Sequence, residues 1–500
     1  MRTHASNEPT NSLAATAAID QNGRMPSNAP TLPPRWRRFR AESGRMLHLA
    51  LPLVAGQFAI IGMGVTDVVV AGHAGTNDLA AATIGFYAWD LSMLPVFGVM
   101  LANSALIGHQ YGAGNVAGIR RQFQQAMWLA LPLGVLSGFA IFGAMHAVRR
   151  LDVTPEVAQI AADYLLPTIL TATLLPFALC FRTTNEGLGL TRPVMWLNLG
   201  AFLVNIPLDY ALVLGAFGLP RLGGAGCGWA TMISFALLVL AWTLYSLFAP
   251  ALRTYRLWQG FGGPIARELR AMLALGLPIG LSLLAVGGFF AVLPMLMASL
   301  GAVAIAGHAV AITVDTLMLT VPLGVGQAMS VRVAHELGGG NPRGARDVCG
   351  TGMLLLVVIA LVQAGAIVAL RHPITSLFTR DTAVAELGTM LLLFAAAYRV
   401  FDSVQIGAGM ALRGYKDTRV ASAINIAAYW LFGLPMCWAL AMGSPWSTGL
   451  GVAGFWIGML AAISMAALAI AWRLARTSRR HLRGPATRAA ADAATQAARA

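Results

Sequence analysis

The sequence predicts an all-α membrane protein: twelve transmembrane helices in two pseudo-symmetric six-helix bundles. Three observations carry that prediction. Of 500 residues, 57% are hydrophobic and 11% charged, with mean hydropathy +0.68, which is too apolar for a water-soluble chain of this size. Apolar stretches of about 20 residues, the length that crosses the hydrocarbon core, recur along the whole chain. Finally, Gly108-His109-Gln110-Tyr111-Gly112-Ala113-Gly114-Asn115 returns as Ala334-His335-Glu336-Leu337-Gly338-Gly339-Gly340-Asn341. In both halves this motif follows two apolar stretches. Pro52 matches Pro278, and Leu79-Ala80 matches Ile305-Ala306, at the same offset.

Residues 1–45 are rich in Ala, Asn, Pro, Ser and Thr and lack an apolar core with a small-residue cleavage site, so they read as a disordered cytoplasmic tail. The first lobe, 46–250, holds spans near 47–72, 80–107, 124–147, 157–181, 194–217 and 227–249. A basic linker follows over 251–270, with Arg253, Arg256, Arg267 and Arg270. The second lobe, 271–475, holds spans near 271–299, 303–331, 350–370, 385–412, 420–443 and 451–474, and an Arg/Ala-rich tail occupies 476–500. A later echo pairs Gly189-Leu190-Thr191-Arg192 with Gly414-Tyr415-Lys416-Asp417. Six helices per repeat give both halves the same orientation, so the pseudo-symmetry axis runs along the membrane normal and a cleft between the lobes crosses the bilayer. Pro95 and Pro322 stand at nearly equivalent places and are candidate bending points.

The net charge of +14 comes from 33 arginines and one lysine. With both termini inside, the outer loops hold only Arg149, Arg150, Arg221, Arg371 and Arg380, and apart from Arg473 at the inner end of the last span, Arg399 alone lies within a span. That asymmetry is the positive-inside signature. It makes both termini cytoplasmic and the lipid bilayer the partner of the charge; no nucleic acid is needed to explain it. Cys180, Cys227, Cys349 and Cys437 are scattered without C-x-x-C spacing and read as small packing residues.

An ATP-driven machine would need a phosphate loop ending in Gly-Lys-Ser/Thr, but the only lysine, Lys416, follows Tyr415. An ion gradient or a partner must then supply energy, with no cofactor implied. A membrane-embedded enzyme would need a metal or acid/base cluster; His335-Glu336 has no second histidine at the zinc-binding spacing, and His109 and His335, matched in matching loops, read as structural. What the chain does hold is isolated acids in spans, which are costly and functional by default. Asp67 lies in helix 1 with no basic residue near it in that helix. Asp402 shares a polar stripe with Arg399 and Gln405 at i, i+3, i+6, one helix face. Asp90 and Asp315 are pseudo-equivalent in helices 2 and 8. Asp209 and Glu186, near span ends where water and headgroups are close, carry less weight.

These residues resemble the multidrug and toxin extrusion (MATE) family, NorM-like branch, over roughly 46–475. The resemblance rests on Gly62-Met63-Gly64 leading to Asp67; on Gly108 to Asn115; on Asn205-Ile206-Pro207-Leu208 with Leu222 to Gly228; and above all on Tyr398 through Asp402, Gln405 and Leu412-Arg413-Gly414-Tyr415-Lys416-Asp417. It implies two six-helix lobes in the inner membrane that expel cationic amphiphilic drugs in exchange for protons or sodium, with Asp67 and Asp402 as the helix 1 and helix 10 aspartates. Some NorM-like members carry a helix 7 glutamate where Val286 stands here. Sodium needs several oxygen ligands, so that departure, with Arg399 beside Asp402, favours protons. Export of lipid-linked intermediates would call for a cationic cleft, which a single arginine in a span does not make.

Overall fold

The computed structural model describes residues 35–150, 153–443 and 449–483. Its contacts divide between Ala41 and Glu42, and the packing below is that of the unit from Glu42 onward. Among the described residues, twelve helices are long and apolar enough to span a bilayer: α1 (Arg35–Ala74), α2 (Thr76–Gly112), α3 (Val116–Val148), α4 (Pro155–Gly187), α5 (Thr191–Leu214), α6 (Ala225–Phe248), α7 (Ala266–Met297), α8 (Ala302–Gly338), α9 (Pro342–Phe378), α10 (Thr382–Gly414), α11 (Thr418–Met442) and α12 (Val452–Leu482). A backbone in lipid must satisfy its own polar groups, which is why each apolar stretch is helical. Within α11 the turn Ala427–Gly433 is π-helical.

The helices overrun the spans expected at both ends of the chain. Residues 35–45, read as disordered, open α1, and 476–482 complete α12. Neither segment holds a proline, the one glycine, Gly44, does not interrupt α1, and arginine, alanine and leucine are good helix formers that continue a helix beyond the membrane. The rest of the two expected tails, 1–34 and 484–500, lies outside the described residues.

The repeated motif is a turn with a fixed construction. Gly114 and Gly340 take φ of 66° and 73°, a left-handed conformation that only glycine adopts freely. Asn115 and Asn341 then cap the next helix, each accepting from the backbone N–H three residues on, at 2.9 Å. The later echo has a different register from the one the sequence invites. Leu190 N–H bonds the Asn185 carbonyl as Asp417 N–H bonds Leu412, so Gly187, not Gly189, is the partner of Gly414. The Gly-x-x-Arg likeness at 189–192 misled because the turn is defined by backbone bonds that tolerate Leu188 and Gly189 opposite Tyr415 and Lys416.

The lobes meet along α1 and α2 on one side and α7 and α8 on the other. A Cβ on Gly98 would fall inside the backbone of Gly280, and one on Gly276 would lie 2.6 Å from the Val99 backbone, so these glycines let α2 and α7 touch main chain to main chain. At the end of the bundle that carries the termini, Met46 and Ala50 of α1 pack with Val325 and Ala328 of α8 in a single apolar cluster.

All cross-lobe hydrogen bonds among the described residues lie at that end. His109 Nε2 donates to the Gly414 carbonyl at 2.8 Å and His335 Nε2 to the Gly187 carbonyl at 2.7 Å, a reciprocal pair generated by the repeat. Gln327 donates to Glu186, and Arg332 donates to Glu42. At the opposite end Tyr87 and Met295 are exposed, and no hydrogen bond among the described residues joins the lobes there. The molecule is closed at the termini-bearing end.

Candidate functional site

In the first lobe, the glycines of α1 decide where its aspartate goes. Gly62 faces the Phe202 ring of α5 and Gly64 the Phe86 ring of α2, with room for no more than a hydrogen: a Cβ would stand 2.8 and 3.0 Å from those rings. This close approach sets Asp67 against α5 and α6. Its Oδ2 accepts from the Thr231 hydroxyl at 3.2 Å, and its carbonyl accepts from the Cys227 thiol at 3.4 Å. On α5, Asp209 and Asn205, one turn apart, are both fully buried. Ligand atoms of Asp67, Asp209 and Cys227 all lie within 4.8 Å of one another.

This pair of acids lacks positive company. Both Asp209 oxygens, Asp67 Oδ1 and both amide atoms of Asn205 are buried without a hydrogen-bond partner, and neither carboxylate has an ion pair among the described residues. Burying one carboxylate costs several kcal/mol, and two side by side repel as well. A proton on one of the two carboxylates would relieve that repulsion. From sequence, Asp209 carries little weight as a residue near a span end. Its burial comes from α6, whose glycine-rich start lies over it: Gly226 packs on the Leu212–Val213 backbone. The spacing Asn205 to Asp209, i and i+4 on one face, was the available signal.

In the second lobe a single arginine serves two acids and offsets the charge of one of them. Arg399, 1% exposed, reaches Asp402 at 2.6 Å and Asp315 at 3.1 Å through the same nitrogen. The stripe of Arg399, Asp402 and Gln405 is buried throughout, but Gln405 belongs to another network. It accepts from the Tyr429 hydroxyl at 3.3 Å and donates to Asn425 at 2.6 Å, and Asn425 donates to Ser282 at 3.0 Å. This chain ties α10 to the π-helical turn of α11 and to α7, four residues before Val286. Tyr398 and Tyr429 hydroxyls lie 3.4 Å apart beside it.

Two further placements differ from the sequence reading. Asp90 and Asp315, pseudo-equivalent in sequence, are not equivalent in environment: Asp90 is half-buried and, among the described residues, has no ion pair or side-chain hydrogen bond. Among the described residues no arginine pairs with Asp90 as Arg399 does with Asp315. Glu186 is fully buried, not bathed in headgroups, because the lobes close over it; Arg182 at 2.7 Å and Gln327 at 2.9 Å hold it.

Twelve spans in two repeats, a polar latch closing one end and a buried acid pair with no basic partner among the described residues define a membrane transporter built of two lobes. The MatE family model matches residues 52–211 and 278–439, one segment in each lobe, and the chain belongs to that family. It is 36% identical to multidrug resistance protein PmpM of Pseudomonas aeruginosa, over 91% of this chain and 96% of that one. It is also 36% identical to the probable multidrug resistance protein NorM of Xanthomonas campestris pv. campestris, over 92% and 99%. Among solved structures, the eukaryotic MATE transporter AtDTX14 has the same fold (TM-score 0.75, 22% identity, 89% of this chain and 98% of that one). So does an outward-facing MATE family transporter of the MOP superfamily (TM-score 0.80, 19% identity, 88% and 96%).

Proposed function

We propose that this protein is a multidrug efflux antiporter of the bacterial inner membrane that exports cationic amphiphilic compounds in exchange for protons. The single observation that carries the coupling is the Asp67–Asp209 pair, buried and, among the described residues, paired with no basic side chain. The relatives named for multidrug resistance support the substrate class. The distribution of arginines supports an orientation with both termini, and so the closed latch, in the cytoplasm.

In this reading the state described is open to the outside. A proton arriving from there is taken by the acid pair, which loses its net repulsion and relaxes α1 against α5 and α6. The drug, an apolar cation attracted to the cleft by negative charge and accommodated by methionine and aromatic walls, is no longer held and leaves. Rocking of the lobes breaks the His109 and His335 bonds, opens the cytoplasmic end and lets the proton go. No ATP enters the cycle.

A sodium-coupled variant has one observation in its favour: the oxygens of Asp67, Asp209, Asn205 and Thr231 could surround a hard cation. Against it, the second lobe already carries its own cation in Arg399 and has Val286 in place of a further carboxylate. Counterflow of ethidium in proteoliposomes, with proton and sodium gradients imposed separately, decides the matter. Transport that follows the pH gradient in sodium-free buffer supports the proton; transport that requires sodium and ignores pH refutes it.

A further inference from the structure

Three arginines converge on the outside of the first lobe at the termini-bearing end. An open pocket of about 610 Å³ is lined by Val116 and Ala117 in the first turn of α3, by Arg120 one turn further on, and by Arg253, Tyr255 and Arg256 of the connector between the lobes. Among the described residues none of the three guanidinium groups pairs with a carboxylate, whereas neighbouring Arg121 does, with Glu268 at 3.0 Å. The positive end of the α3 dipole adds to their field.

The pocket is preformed because the connector is strapped onto α3. Gln124 donates to the carbonyls of Leu257 and Gln259, both at 3.0 Å, and Trp128 donates to that of Gly262 at 2.8 Å. Gln125 bonds Gly263 and accepts from the Ile265 N–H. These bonds fix the turn in which Arg256 holds a φ of 47°, so the arginines are presented by a braced loop. Just before the connector, Leu247 and Phe248 are exposed apolar residues at the end of α6, which puts the pocket where the lipid-facing surface gives way to charge.

We propose that this pocket binds a phosphate-bearing anion, and that in the membrane this is the headgroup of an anionic phospholipid. Guanidinium groups bind phosphate oxygens with directed, charge-assisted hydrogen bonds, and basic pockets at the cytoplasmic boundary of a helix bundle are suited to acidic headgroups. The lipid source rests on the proposed orientation, which faces this end to the inner leaflet; phosphate recognition does not. A bound headgroup would anchor the connector and the first lobe while the second lobe rocks.

The repeat supplies an internal control. Arg346 of α9 holds the place of Arg120 but, among the described residues, has no strapped connector hydrogen-bonded beside it. Purified full-length protein in detergent is titrated with phosphatidylglycerol, phosphatidylcholine or inorganic phosphate, and bound adducts are counted by native mass spectrometry. Each of Arg120→Gln, Arg253→Gln and Arg256→Gln should weaken phosphatidylglycerol retention about fivefold, leave phosphatidylcholine unchanged and leave the melting temperature within a degree or so. Arg346→Gln should retain the lipid like the wild type. Equal phosphatidylglycerol retention in all variants overturns the site. Retention no stronger than that of inorganic phosphate overturns the lipid as its source. Because this readout involves no transport, its failure is separate from any failure of the proposed antiport.

Discussion

Asp67 and Asp209 in the first lobe, and Asp315 and Asp402 in the second, are four acids buried to similar depth by the same six-helix scaffold. In the first lobe the two carboxylates face each other with an unpaired amide and a threonine nearby. In the second, one guanidinium nitrogen bridges both. The repeat thus conserves helix packing and turn construction while the charge balance diverges. Among the described residues the first lobe offers its acids no basic side chain, whereas the second offers one arginine to both. That difference is the strongest reason to place exchangeable charge in the first lobe.

The most damaging way to break the comparison is to neutralise the first pair. Asp67→Asn and Asp209→Asn should each reduce ethidium extrusion from cells to the level of an empty vector at wild-type expression. Neither should lower the melting temperature in detergent, because removing an unpaired buried carboxylate relieves repulsion. Wild-type extrusion by a well-expressed Asp209→Asn variant would return Asp67 to a solitary role.

Removing the second lobe's internal cation should hurt stability instead. Arg399→Gln strands two acids and should cost about 3–5 kcal/mol, read as a large fall in melting temperature. An Arg399–Asp402 pair alone would let Arg399→Gln/Asp402→Asn recover. The bridge to Asp315 means that this double variant still carries one bare acid, so only Arg399→Gln/Asp315→Asn/Asp402→Asn should approach wild-type stability. Full recovery in the double variant would show that Asp315 does not share the arginine.

A third test addresses what the lobes do in common. Gly112 lies against the His335 carbonyl and Gly338 against that of His109, with no space for a Cβ. Gly112→Ala or Gly338→Ala should force the latch apart at a cost of roughly 1–3 kcal/mol. Maleimide labelling of a cysteine placed at Ala334, buried at this contact, should then rise severalfold. His109→Ala, which removes one hydrogen bond worth about 1 kcal/mol, should act in the same direction more weakly.

The smallest effect concerns the turn after α10, outside the spans. Burial alone would raise the Asp417 carboxyl, but hydrogen bonds from Arg473 and Thr477 and the charges of Arg473 and Arg480 outweigh it and hold the group below its usual range. A depressed carboxyl contributes stability above its unfolded value, near 3.9, and loses it as pH falls through the folded one. Asp417→Asn should therefore lower the melting temperature slightly at pH 7, and the deficit should shrink on acidification below about pH 4. A deficit that grows with acid would reverse the sign of the interaction.

Sequence by itself determined everything that depends on local pattern. Span count, the twofold repeat and the turn chemistry of Gly114-Asn115 and Gly340-Asn341 follow from hydropathy and from conformations only certain residues adopt, and Arg399 with Asp402 is legible because i and i+3 share a helix face. Tertiary structure alone decided which acids meet. Asp209 lies far along the chain from Asp67, and Asp315 far from Arg399, so no spacing rule reports either contact; glycines let the helices approach, Gly62, Gly64 and Gly226 in the first lobe and Gly307 and Gly326 between α8 and α10 in the second. It also separated Asp90 from Asp315, since a pseudo-equivalent position fixes where a side chain starts but not what charge the neighbouring helix brings to it.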